Sequence, residues 1–191
     1  MALSSDGSVV AIGARWNDGD LVFGGYAVDG EDSGHVRLFR NVDDTWTQIG
    51  QDIDGEAARD FSGESVALSA DGSVVAIGAT NYHGHVRIYR NVDDTWAQIG
   101  LNIDGEENGN MECEAVALSS DGSVVAIGAP SNRANGIGAG QVKLYRNVNG
   151  IWTQIGHDIA GKDSFEGVGY SVALSSDGSV VAIGARRIDL D

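Results

Sequence analysis

Cysteine is almost missing from this chain, and the single Cys113 among 191 residues excludes an intrachain disulfide and any cysteine metal cluster. Proline is as scarce, with Pro130 alone, while glycine reaches 28; that balance excludes collagen and proline-rich disorder and calls for many tight turns. Positive charge is the third deficit. Twelve Lys and Arg stand against 28 Asp and Glu, and a net charge of −16 repels a phosphate backbone or an anionic lipid surface, which argues against nucleic acid and membrane docking. A cationic partner, a neutral glycan or a divalent ion suits that charge, and so does solubility alone. Apolar runs are short as well: none nears the roughly 20 residues of a bilayer span, and Met1-Ala2-Leu3-Ser4-Ser5 has neither a basic nor an apolar leader segment.

What the chain does have is repetition. The run Ala-Leu-Ser-(Ser/Ala)-Asp-Gly-Ser-Val-Val-Ala-Ile-Gly-Ala occurs at Ala2 to Ala14, Ala67 to Ala79, Ala117 to Ala129 and Ala173 to Ala185. A second unit follows the first three copies, at Gly34 to Gly50, Gly84 to Gly100 and Gly140 to Gly156. The turn aspartates Asp6, Asp71, Asp121 and Asp177 are 65, 50 and 56 residues apart, and the unevenness lies in one place, inserts of 19, 4 and 10 residues between the two units. Removing them leaves a constant 46-residue scaffold that carries one variable loop, the pattern of a functional or tolerated surface loop.

Within the scaffold, β-branched runs flank Asp-Gly, which predicts a hairpin closed by a two-residue turn with positive φ. Val74-Val75-Ala76-Ile77 is apolar on both faces and predicts a strand buried between sheets. His85-Val86-Arg87-Ile88-Tyr89-Arg90 is mixed and predicts a strand farther out, and Trp96-Ala97-Gln98-Ile99 an outer edge. Four antiparallel strands per roughly 50 residues, with small inner side chains, describe a β-propeller blade. The expected fold is therefore all-β, a β-propeller segment of three full four-stranded blades plus a half blade. The repeats run approximately over 2–65, 66–115, 116–171 and 172–191, the last incomplete.

The residues Gly63-Glu64-Ser65-Val66-Ala67-Leu68, Asp71-Gly72, Ile77-Gly78-Ala79, Gly84-His85-Val86-Arg87-Ile88-Tyr89 and Trp96 resemble the FG-GAP repeat, the blade unit of integrin α-chain propellers and of many microbial surface proteins. The Gly-Ala-Pro triplet is intact only at Gly128-Ala129-Pro130. The resemblance implies a propeller of about seven blades, of which this chain would be a fragment, or which a second copy would help to complete. It also implies an extracellular or cell-surface location and a non-enzymatic recognition or adhesion role toward a protein or glycan ligand. Many family members bind calcium through an Asp-x-Asp-x-Asp-Gly hairpin. Here that hairpin reads Ser119-Ser120-Asp121-Gly122-Ser123, and one carboxylate cannot supply the six to eight oxygens calcium takes, so no cofactor is expected.

The longest insert, Arg15 to Ser33, carries the candidate ligand-binding residues Trp16, Asp18, Asp20, Phe23, Tyr26, Asp29, Glu31 and Asp32, aromatic faces beside carboxylates that suit a sugar or a cation. Asp52-Ile53-Asp54-Gly55-Glu56 has the look of a small metal loop. Its counterparts, Asn102-Ile103-Asp104-Gly105-Glu106 and Asp158-Ile159-Ala160-Gly161-Lys162, lose acids in turn, which favours a plain turn between blades. His83-Gly84-His85 lacks a spaced third ligand for zinc, and Cys113 stands where Gly63 and Gly169 stand in other copies, a place for a small packed residue. Trp46, Trp96 and Trp152 recur in register and read as cement between sheets. The nearly uniform Ala, Val, Ser and Gly of the inner strands offer no asymmetric acid, base or nucleophile, so catalysis is not expected; a purely architectural scaffold and a propeller hydrolase or lyase are the alternatives.

Overall fold

Alternation sets the strands and glycine-bearing turns separate them. The computed structural model describes residues 1–23, 26–80, 84–105 and 113–186, without the side chains of 19–23 and 26–29, and among these there is no helix. The first sheet begins with β1 (Ala2–Leu3) and β2 (Val9–Ala14). The long insert then folds as a separate hairpin, β3 (Gly19–Phe23) with β4 (Tyr26–Gly30). The sheet resumes with β5 (His35–Val42), β6 (Thr45–Gln48) and the two-residue β7 (Ile53–Asp54). Its order is β1-β2-β5-β6, with β7 pairing the start of β5, all antiparallel.

The second sheet repeats this plan with β8 (Ser65–Leu68), β9 (Val74–Ala79), β10 (His85–Val92), β11 (Thr95–Gln98) and β12 (Ile103–Asp104). The third uses β13 (Ala115–Leu118), β14 (Val124–Ala129), β15 (Gln141–Val148), β16 (Ile151–Gln154) and β17 (Ile159–Ala160). A last hairpin pairs β18 (Val168–Leu174) with β19 (Val181–Ala185). The expected four-stranded antiparallel sheets are therefore present, each of the first three with a short fifth strand that the sequence reading had taken for a turn. The expected propeller is met only at that coarser level: among the described residues the sheets are open, and none closes into a barrel or ring.

The sheets pack face to face. Along β9, Val75 and Ile77 join Val9, Ala11, Val36 and Leu38 of the first sheet, while Val74 and Ala76 join Val125, Ile127 and Ala129 of the third. Period-two alternation thus sends successive side chains into two different cores, which is why this run is apolar throughout.

The turn between the first two strands of each sheet differs from expectation. It is a four-residue loop: Ser4 donates its N–H to Val9 O at 2.9 Å, Val9 donates its own to Ser4 Oγ at 2.9 Å, and only Gly7, at φ 73°, takes the left-handed conformation. The Asp6 carboxylate accepts from Ser4 Oγ at 2.7 Å, Ser8 N at 2.9 Å and Ser8 Oγ at 2.8 Å. Asp71, Asp121 and Asp177 sit in the same cage of serine hydroxyl and backbone N–H. Backbone bonds from Ser5 N to Ala70 O, Ala70 N to Ser120 O and Ser120 N to Ser176 O then tie the four turns together.

At the other end of these strands, Gly13 lies against the Gly63 carbonyl and Gly128 against that of Gly169, approaches that leave no room for a Cβ. Cys113 takes the corresponding place over Gly78. Fully buried, its thiol is pushed up to about 12, which makes it a packing residue without nucleophilic character, as its position in the repeat suggested.

Candidate functional site

The end of the sheets opposite the aspartate turns carries His35, Asp52 and Asp54. At its centre is β5, whose first residue, His35, is buried and pairs directly with Asp54 of β7. Asp52 enters from the same short segment, and the ligand atoms of His35, Asp52 and Asp54 all lie within 4.8 Å of one another. The β7 pairing produces this convergence. Without it, the segment 52–54 would be a loop with no fixed relation to His35.

Asp52 is held in place on both oxygens. Arg37 Nε donates to Oδ2 at 2.8 Å and Gln48 Nε2 to Oδ1 at 2.7 Å. Partial burial pulls its carboxyl upward, but the Arg37 and Gln48 hydrogen bonds and the Arg37 charge outweigh that pull, so the net displacement is downward and Asp52 is ionised at neutral pH. A carboxylate has about four lone-pair positions and these bonds occupy two, which leaves capacity for an ion. One imidazole nitrogen with two carboxylates is a ligand set for a divalent cation, with positions left for water or substrate. The second repeat has His85, Asn102 and Asp104 at these places and the third Gln141, Asp158 and Ala160, so the full set occurs once. This corrects the expectation of no cofactor site, and the reading of the segment as a plain turn: it forms the short strand β7, and the copy with the most acids is the one in which they meet a histidine.

A second polar group adjoins the first across the boundary between sheets. Arg87, at the place of Arg37, has the neutral Asn102 opposite it and turns instead to Asp54 O at 2.8 Å and Ser62 Oγ at 3.0 Å. His85 Nε2 is 3.6 Å from Asp60 Oδ2 and 3.9 Å from Glu56 Oε2, and like Arg87 Nε it is buried without a hydrogen-bond partner among the described residues. Burial raises the Asp60 carboxyl against the lowering influence of His85. Its bonds from Arg87 on β10 back to Asp54 and Ser62 make this group a buried polar joint between the first and second sheets.

The third feature is a cup of about 370 Å³ lined by Arg15, Trp16, Phe61, Glu64, Thr80 and Glu114. Trp16 meets Phe61 edge-on, with centroids 5.1 Å apart and planes at 74°, and Arg15 lies 4.5 Å over the Trp16 ring while pairing with Glu64.

Of the ligand-binding residues expected in the long insert, Trp16 lines this cup. Asp18 instead accepts the Asp32 N–H at 3.0 Å and Glu31 pairs with Arg59 at 3.1 Å, so these serve to hold the insert. The side chains of Asp20, Phe23, Tyr26 and Asp29 lie outside the described residues, as does His83.

No family model matches the chain, and no curated protein matches it. Solved structures do. One, from Bacteroides uniformis and named as a candidate 6-phosphogluconolactonase, superposes with a TM-score of 0.60 at 14% identity, over 95% of this chain and 45% of its own. Another candidate 6-phosphogluconolactonase, from Bacteroides fragilis, gives a TM-score of 0.52 at 16% identity over 84% and 39%. The chain shares its fold with candidate 6-phosphogluconolactonases. It spans less than half the length of either, and at these identities the likeness is one of fold. Two expectations are overturned by it. The FG-GAP, integrin-like assignment gives way to a fold shared with structures named as candidate 6-phosphogluconolactonases, and the expected non-enzymatic adhesion module gives way to that fold with a candidate ligand cluster at His35, Asp52 and Asp54. The motif likeness had rested on a repeated pattern of short runs, with the Gly-Ala-Pro triplet intact only at Gly128-Ala129-Pro130.

Proposed function

We propose that this chain is part of a hydrolase that opens a cyclic sugar ester, a lactone, with a divalent cation held by His35, Asp52 and Asp54. The observation that carries the reading is the convergence of those three ligand atoms within 4.8 Å, in the one repeat that has all of them. His35, Asp52 and Asp54 would hold the cation, which when bound would supply Lewis-acid chemistry for the attack of water on the ester. Water adds to the carbonyl carbon, the ring C–O bond breaks, and the hydroxy acid leaves with no other reactant consumed. The kinship in fold with proteins named for lactone hydrolysis supports this choice of reaction. The same kinship supports a finer architecture in which the sheets are blades set around a common axis. The backbone bonds linking turn to turn agree with such an arrangement.

The test is calorimetric titration of the 191-residue chain with Mn²⁺, beside pH-stat hydrolysis of glucono-δ-lactone. Binding near one ion per chain and metal-stimulated hydrolysis are expected, and His35→Ala and Asp54→Asn should each reduce both by about a hundredfold. Hydrolysis unaffected by chelator, or unchanged in both variants, would sink the reading.

A further inference from the structure

The hydrolase reading leaves open what kind of lactone would be accepted, and the cup beside β5 bears on that. Its position is fixed by the pairing of Ala14, which immediately precedes Arg15 and Trp16, with His35. Gly63, which immediately precedes Glu64, packs against the His35 carbonyl and Gly13. The cup and the cation ligands therefore share one stretch of backbone.

Its lining is mixed in a telling way. Glu64 and Glu114 offer acceptors, and Arg15 offers donors. Among the described contacts Arg15 uses one nitrogen on Glu64, which leaves most of its five N–H groups for a ligand. Trp16 keeps 62% of its surface exposed although Phe61 and Arg15 touch it, so it is an apolar wall that the fold itself does not cover. A purely cationic ligand needs only acceptors and a purely anionic one only donors. A polyhydroxylated ring needs both, together with an apolar surface for its C–H face, and the volume is at the lower end of small-molecule sites.

The charge count decides between two forms of such a ring. The lining holds two carboxylates and one guanidinium, in a chain of net charge −16, so a phosphate dianion would meet a repulsive field from the protein as a whole. Thr80 and Pro130 stand where Arg15 stands in the second and third repeats, and in the fourth Arg186 takes that place, donating to the Tyr170 hydroxyl and lying over its ring.

We propose that the Trp16 cup is a subsite for an uncharged polyhydroxylated ring, so that the lactone handled by this site carries no phosphate. This rests on the hydrolase reading for the word lactone, but sugar binding is measurable without turnover. The probes are methyl β-D-glucopyranoside, which cannot be hydrolysed at this site, and glucose 6-phosphate, titrated calorimetrically into the 191-residue chain. The neutral sugar should bind at least about tenfold more tightly than the phosphorylated one, and Trp16→Ala and Glu114→Gln should each weaken the neutral sugar by about tenfold. Glu114→Gln should also narrow the gap between the two sugars, an electrostatic signature that a merely structural role would not give. Trp16→Phe should restore most of the binding, and circular dichroism establishes that each variant is folded.

Equal or tighter binding of glucose 6-phosphate overturns the proposal. So does an absence of binding by either sugar, or neutral-sugar affinity unchanged in both Trp16→Ala and Glu114→Gln. If the neutral sugar binds as described and glucono-δ-lactone is not hydrolysed, the subsite stands and the hydrolase reading falls. If the lactone is hydrolysed and the sugar ignores Trp16 and Glu114, the reverse holds.

Discussion

β2 and β9 have the same six residues, Val-Val-Ala-Ile-Gly-Ala, and different surroundings. Every residue of β9 is buried, with Ile77 fully enclosed, whereas Ile12 at the same place in β2 is 41% exposed. The strands pair alike with their own sheets; the difference is that, among the described residues, the second sheet has a packed neighbour on each face and the first on only one. Burial here belongs to the stack, and a repeated sequence acquires unequal energetic weight from its position in it. The tryptophans make the same point. Trp96 and Trp152 donate their indole N–H to Ile49 O at 2.9 Å and Ile99 O at 2.8 Å of the preceding sheet, while Trp46, for which the described residues show no such bond, is 46% exposed.

The sharpest way to break this comparison is to cut the same side chain in both settings. Ile77→Ala should cost about 3–4 kcal/mol, through lost transfer energy and a cavity between two rigid sheets, and Ile12→Ala only about 1 kcal/mol. Urea unfolding of the two variants reads the difference directly, and equal losses would show that the faces of the first and second sheets are equivalent in solution. A smaller contrast is expected from the indoles. Trp152→Phe removes a hydrogen bond to the neighbouring sheet and should cost about 1.5 kcal/mol, while Trp46→Phe should cost about 0.5 kcal/mol or less. Comparable losses in the pair would mean that the tryptophans stabilise their own sheets and do not cement adjacent ones.

The same distinction explains how much was legible in the sequence. Period-two alternation, the Asp-Gly turns and the small residue at Cys113 are local signals, and the strands, their order within each sheet and the buried thiol follow from them. The candidate site was not legible, because it depends on a two-residue strand. Ile53-Asp54 is too short to show alternation, and only its pairing with His35 and Val36 brings both acids to the imidazole. Asp52 and Asp54 were visible as a small acidic loop and His35 as a strand residue, yet nothing in their spacing joined them. Trp16 was visible as a loop aromatic, but Phe61, Glu64 and Glu114, its neighbours in the cup, come from the segments that open the second and third sheets and carry no shared pattern with it. The half-length likeness to lactonase-type structures lay below any sequence signal.

The aspartate turns mark the limit of the comparison, since each carboxylate is held by the serines of its own turn. Asp6, chiefly through the Ser4 hydroxyl, and Asp177, chiefly through the Ser179 N–H, are both held down to about 2, and Asp121 is lowered by Ser119 and Ser123. In Asp71 burial pulls upward, but the Ser69 and Ser73 bonds prevail and it too is lowered. A carboxyl whose folded value lies below the unfolded one, about 3.9, contributes stability above that pH and loses it as pH falls toward 2. Asp60 has the opposite sign. Burial raises it despite His85 and Arg87, so its ionisation opposes folding as pH rises through about 3.9, and its protonation favours folding on the way down. The acid limb of the stability curve is thus a difference between local turns and one buried joint. Thermal unfolding followed between about pH 2 and 5 should show a shallower acid loss in Asp71→Asn than in the parent chain, and a steeper one in Asp60→Asn. Only the slopes are compared, so a uniform loss of stability in either variant does not obscure the result; matching slopes in all three proteins would mean that the turn carboxylates are not what makes the fold acid-sensitive.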